Sequence, residues 1–191
     1  MSYRELLELQ YELAMAIGTS LDMDIMLRHA LGRFLRKLNC SSGCIYLRKH
    51  PDNLPEYVFA IPRRIGHNQA YQVASKLADE LKDTQDWDTL VQQLPLQSGS
   101  PAEGYHYVLA LDNLGFMVLV RHEVQIDPEV LRSLNPILIK FANACTACQQ
   151  KQKLAERNER IRIERNMMRT MLENMPVVLF VLDTDGMIRV S

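Results

Sequence analysis

"YHYVLALDNLGFMVLVRHE", residues 105–123, decides the fold of this 191-residue chain. Two runs, roughly 105–111 and 116–122, are dense in Val, Leu, Phe, Met and Tyr, residues that suit a pleated, half-buried surface. Between them lies Asp112-Asn113-Leu114-Gly115, and Asn and Gly tolerate the positive φ that tight hairpins need. The stretch therefore predicts an antiparallel hairpin. Side chains alternate across a strand, so Tyr105 and Tyr107 share one face and His106 takes the other.

Just upstream, "QSGSPAEG" (97–104) reads as a loop by composition. Residues 62–104 carry the weakest pattern: Tyr71, Val73, Ala74, Leu77, Ala78 and Leu81 suggest one helix, and Trp87, Leu90, Val91 and Leu94 another. Two further strands are expected, at Cys44–Leu47 and at Tyr57–Ile61, the second stopped by Pro62. Before them, Leu6, Leu9, Leu13 and Ile17 form a helical stripe ended by Gly18. Asp22 then caps a second helix bearing Ile25, Met26, His29, Ala30, Phe34 and Leu38 on its apolar side.

Downstream, Asp127 and Pro128 open a helix that Pro136 must either kink or end, with Asn135 as the cap of a restart. From Ile137 the helical pattern runs to Met175, where Pro176 halts it. Together these elements predict an α+β fold: an antiparallel sheet with helices on its faces, in a domain of about 150 residues.

Composition narrows the function. Apolar residues make up 47% and charged residues 24%, and the formal net charge is -1, which gives no general attraction to nucleic acid or to an anionic membrane. The N-terminus lacks the continuous apolar core of a signal peptide, and the longest strongly apolar run, Val177–Leu182, is far too short to span a bilayer. A cytoplasmic protein with four reduced cysteines is expected.

The residues offer little catalytic chemistry. Cys145 and Cys148 form C-x-x-C, yet they continue the apolar stripe of Val130, Leu134, Ile137, Leu138 and Phe141, so packing thiols are expected instead of a metal site. Cys40 and Cys44 lie about a hundred residues away, and the histidines at 29, 50, 67, 106 and 122 have no metal-ligand spacing. No cofactor is evident and no catalytic residue is assigned. An unknown small-molecule ligand is expected to meet an aromatic and apolar lining: Tyr46, Phe59, Ile61, Tyr105 and Tyr107 on strands, with Tyr71 and Trp87 on the covering segments.

Residues 150–175 have a different texture. Leu154, Ile161, Met168 and Met175 recur every seven residues, the period of a two-helix seam, with Arg157, Glu164 and Met171 at the matching positions. A parallel homodimer is expected through this stripe (Leu154, Ile161, Met168, Met171) and through Leu6, Leu9 and Leu13 near the N-terminus.

The element order, carried by "ELAMAIGTSLDMDIMLRHALGRFLRKLNCSSGCIYL" (12–47) and "YVLALDNLGFMVLVRHEVQIDPEVLRSLNPILIKFANACTAC" (107–148), resembles a GAF domain, a small-molecule sensing module of bacterial signalling proteins. The resemblance covers roughly 12–150. The Cys-His pair of bilin-binding members and the signature of cyclic-nucleotide-binding members have no counterpart here. "MLENMPVVLFVLDTDGMIRVS" (171–191) looks like the first two strands of a PAS domain, with an Asp183–Gly186 turn. The resemblances imply a division into a dimerisation helix (1–18), a GAF-like sensor (19–149), a helical linker (150–175) and the start of a PAS domain (176–191). They imply in turn a sensory input module of a longer protein with PAS and output domains in the same chain. The implied output is a histidine kinase first, and a diguanylate cyclase next. The alternatives are a ligand-free dimerisation scaffold and a methionine sulfoxide reductase-like enzyme, the latter ranked last because such enzymes use loop cysteines.

Overall fold

The computed structural model describes residues 3–50, 52–84, 87–122, 124–174, 181–182 and 188–189, in two compact units that divide between Lys151 and Gln152. The first unit is α+β. Its helices are α1 (Tyr3–Ala16), α2 (Met23–Lys37), α3 (Gln69–Thr84), α4 (Trp87–Gln93), α5 (Pro128–Ser133) and the beginning of α6 (Asn135–Glu173). Its strands are β1 (Ser42–Leu47), β2 (Glu56–Ile61), β3 (Leu96–Ser100), β4 (Gly104–Leu111) and β5 (Gly115–Arg121). They form an antiparallel sheet of order β2-β1-β5-β4-β3.

Both faces of that sheet are covered. All six residues of β1 are buried, as a strand demands when helices pack on either side. Ile45 and Leu47 join one core with Leu13, Leu27, Phe34, Tyr107, Leu119 and Phe141, drawn from α1, α2, α6 and the sheet. Cys44 and Tyr46, one residue out of phase, join a second core with Phe116, Val118, Ala74, Leu81 and Trp87, from α3, α4 and the sheet.

Local chemistry sets the boundaries. The Asp22 carboxylate accepts the Ile25 N–H at 3.1 Å and Asp127 accepts the Glu129 N–H at 2.8 Å, each capping its helix. Asn68 caps α3: its Oδ1 accepts the Tyr71 N–H at 3.0 Å while its Nδ2 donates to the Pro62 carbonyl at 2.8 Å. At Pro136 the chain restarts. The residue shared by the two helices is Leu134, not Asn135: its N–H bonds back to Val130 at 3.2 Å and its carbonyl accepts the Leu138 N–H at 2.9 Å. Pro136 thus sits in the first turn of α6, where its missing N–H has no partner to lose.

Three expectations are corrected. Residues 97–104 are not simply a loop; 96–100 are the edge strand β3, whose Gly and Ser residues pair with β4. Gly99 (φ 105°) and Gly104 (φ 92°) take left-handed backbones there, and a β-carbon on Gly99 would collide with the Gly104 carbonyl. In the hairpin, the positive φ falls on Asp112 (49°), while Gly115 is extended. Third, the α1 stripe turns inward: Leu13 is fully buried, and Leu6 and Leu9 pack against the same core. Gln10 Nε2 donates to the Ser133 carbonyl at 2.7 Å, and Glu12 pairs with Lys37. Leu6, Leu9 and Leu13 therefore serve their own domain, and the stripe that α1 leaves exposed is Tyr3, Leu7, Tyr11 and Met15.

α6 is buried along one face as far as Cys148, and from Gln150 to Asn174 every residue is exposed, Leu154, Ile161, Met168 and Met171 included. In the second unit, β6 (Val181–Leu182) and β7 (Ile188–Arg189) pair antiparallel. Met175 and the Asp183–Gly186 turn lie outside the described residues. Among the described residues no helix is long and apolar enough to cross a membrane.

Candidate functional site

The sheet divides the seven residues singled out as a ligand lining. Tyr46, Tyr71 and Trp87 come together beneath α3 and α4. Phe59, Ile61, Tyr105 and Tyr107 lie with the opposite core, where the Tyr107 hydroxyl accepts the Ile126 N–H at 2.7 Å. Period-two alternation accounts for β4: Tyr105 and Tyr107 share one face, and that face is the α1–α2–α6 side. On β2 the alternation breaks. Ile45 pairs with Phe59 but Tyr46 pairs with Tyr57, so Val58 is an extra residue and the ladder slips there. Tyr57 and Phe59, two apart in sequence, consequently part company: Phe59 joins the α1–α2–α6 core, while the exposed Tyr57 lies against Tyr46 and Tyr71.

This slip completes an aromatic surface that sequence periodicity does not reveal. Tyr46 stacks on Phe116 at 5.2 Å with ring planes 9° apart, and meets Tyr57 edge-on at 6.0 Å. Tyr57 in turn meets Tyr71 edge-on at 5.4 Å, and Trp87 leans on Phe116 at 6.2 Å. Tyr57 and Phe116 are the missed members; cross-strand register, Tyr46 opposite Phe116, is the signal that finds the second.

α3 lies close over the sheet because the residues it turns inward are small: Ala70, Ala74 and Ala78, four apart and buried. Two buried polar groups fix its start. Ser42 Oγ on β1 accepts the Ala70 N–H at 3.3 Å, and Asn68 supplies the cap described above. Buried polar groups need such partners, so the first turn of α3 is held in one position.

The surface is uncharged except at its rim. Burial raises the Tyr46 hydroxyl well above the ordinary phenol range, with further contributions from Cys44 and Tyr71. Burial likewise raises Tyr57, and pushes the Cys44 thiol up to about 12. At the edge, the Arg48 guanidinium stands 5.6 Å from the centre of the Trp87 ring, a cation–π contact. The Trp87 indole Nε1 is buried without a hydrogen-bond partner among the described residues. Tyr46, Trp87 and Phe116 are buried and pack on one another, with Tyr57 and Tyr71 at the margin, and among the described residues this surface has no nucleophile paired with a base.

The remaining candidates are placed as follows. Cys145 and Cys148 are buried on the inner face of α6, and Cys148 Sγ lies 3.7 Å from the Ser20 carbonyl. Burial raises the pKa of both thiols, away from the thiolate form that is nucleophilic. Among the described residues no three His, Cys, Asp or Glu side chains gather as metal ligands. His106 is half-buried on β4, opposite Ser98 and Val120, and burial lowers its pKa. A crevice of about 300 Å³ opens where Leu94 and Pro95 meet Leu109, Leu131, Asn135 and Leu138. None of the seven predicted lining residues borders it.

No protein-family model matches the chain, and no curated protein is similar to it in sequence.

Proposed function

We propose that this chain is the sensory input part of a signal-transduction protein. Its GAF-like body offers the aromatic surface under α3 and α4 as the input site, and its α6 helix pairs with that of a second copy to pass the change onward. The element order supports the reading: helix, helix, strand, strand, helical cover, hairpin and terminal helix are the features on which the GAF resemblance rests. One observation carries it. From Gln150 to Asn174 α6 is exposed on every side, about 37 Å of helix at 1.5 Å per residue. An isolated helix of that length is marginal in water, and its apolar residues Leu154, Ile161 and Met168 recur at the seven-residue period of a helix pair. The downstream output is a histidine kinase, with a diguanylate cyclase as the alternative.

A ligand-free scaffold is the second reading, favoured by the way Tyr46 and Trp87 already fill the surface around Phe116. Cysteine crosslinking tests the pairing common to both. In a parallel, in-register pair, Ile161→Cys meets its own copy and oxidises to a covalent dimer, whereas Ile163→Cys, nearly opposite on the helix, does not. Equal crosslinking from both positions, or from neither, would sink the seam.

A further inference from the structure

Arg48, the first residue after β1, touches four parts of the body. Its Nε donates to the Asn53 carbonyl at 2.6 Å, and Nη1 reaches the Asn113 carbonyl at 3.4 Å, tying the β1–β2 loop to the hairpin turn. Its guanidinium lies over the Trp87 ring of α4. Its main chain faces the other way: the Arg48 carbonyl accepts Gln149 Nε2 of α6 at 3.0 Å, while its N–H donates to the Leu114 carbonyl at 2.7 Å. Gln149 is the residue before α6 becomes exposed throughout. One residue thus grips the cover of the aromatic surface with its side chain and the departure point of α6 with its backbone.

We infer that Arg48 is a coupling residue, linking the position of α4 to that of α6 at Gln149. The two ends differ in how firmly they are held. β1 is buried along its whole length, so Arg48 is rooted in the most constrained strand of the sheet. α4 has only seven residues, of which Trp87 is the buried one, and the indole Nε1 there lacks a partner among the described residues. α4 is therefore the part that yields. When it shifts, the guanidinium loses its ring and is free to rearrange against the Asn53 and Asn113 carbonyls, so the chain just beyond the buried strand, with the Arg48 carbonyl under Gln149, loses part of its support. The use of this link for signalling rests on the sensor reading above, but the link itself is a property of the body.

Trp87 is the only tryptophan in the chain, so its fluorescence reads α4 alone. Gln149→Ala, made on α6, is expected to raise acrylamide quenching of Trp87 on the order of twofold. Arg48→Ala keeps the carbonyl that Gln149 Nε2 bonds but frees its position, and is expected to speed hydrogen exchange of the α6 amides around Gln149 by up to about fivefold, the factor for loss of that one net hydrogen bond. The double variant should fall short of the sum of the two single effects, because both act through one connection. Lys140→Ala removes a different α6 tether, the 2.7 Å bond to the Ala14 carbonyl, and should leave Trp87 unchanged. Should Arg48→Ala fail to fold, Arg48→Lys keeps the charge but not the planar fork, and is expected to shift both readouts in the same direction by less. Unchanged Trp87 quenching in Gln149→Ala, additive effects in the double variant, or an equal response to Lys140→Ala would overturn the inference. Because every readout is taken on the body, coupling that holds while Ile161→Cys fails to crosslink would defeat the signalling reading and leave Arg48's role standing.

Discussion

Two glycines illustrate opposite reasons for lacking a side chain. Gly18 ends the α1 turn at φ 79° with open space around it, so alanine there meets only backbone strain, about 1 kcal/mol. Gly115 is extended at φ 161°, but a β-carbon would run into the Tyr46 carbonyl where β5 lies against β1. Gly115→Ala is thus expected to destabilise by more than about 2 kcal/mol, since strand backbones must part, and Gly18→Ala by about half that or less in urea unfolding. His106 provides a residue-scale test against pH. Burial is the largest influence on it and lowers its pKa, opposed by Glu103 and assisted by His122. The unfolded chain then takes up the proton first as pH falls below the ordinary 6.5. His106 therefore contributes fully above that value and progressively less as pH drops toward its lowered folded pKa. The melting temperature should fall between about pH 7.5 and about pH 5.5, and His106→Asn should flatten part of that slope.

At the scale of elements, α3 depends on smallness. Its buried Ala74 sits between the helix and the sheet, and Ala74→Leu is expected to destabilise by about 1–3 kcal/mol and shift Trp87 emission to the red as the cover lifts. Lys76→Leu, on the exposed side, should do neither. Elements of this kind were legible from sequence wherever burial followed one period: α2 declares itself by three- and four-residue spacing and the β4–β5 hairpin by its apolar density, while α3 shows the same spacing within the weakest stretch of the chain. β3 was not, because an edge strand of Gln, Ser and Gly is held by backbone pairing and carries no apolar alternation. The candidate surface was half legible. Tyr46, Tyr71 and Trp87 were chosen for their type, but which face each serves depends on the slip at Val58, and a strand's register is written in its neighbour. Polarity alone could not separate Leu6, Leu9 and Leu13 from a dimer seam either; an apolar stripe states that it is covered, not by what.

For the whole molecule, that distinction changes where a cut is harmless. Ending the chain at Lys151 keeps every buried residue of the first unit and removes the exposed part of α6. That chain should unfold at nearly the same urea concentration as the parent but sediment as a monomer where the parent dimerises. Starting it at Ser20 strips Leu13 and Ile17 from the core, each worth about 1.5–3 kcal/mol of burial, and should leave a poorly folded body. A Lys151-terminated chain that still dimerised would move the interface onto the body. The covering of the α1 side has a temporal consequence as well. Glu12 pairs with Lys37 close by in the chain, but Gln10 reaches Ser133 and Ala14 receives Lys140, so α1 is also fastened by partners 123 and 126 positions later. During translation at about 5–20 residues per second, α1 waits on the order of ten seconds for the α5 and α6 side of its core, with Leu6, Leu9 and Leu13 covered until then by α2 at most. The core over that helix is expected to be completed only once the start of α6 has emerged, which leaves the nascent chain open to aggregation until then.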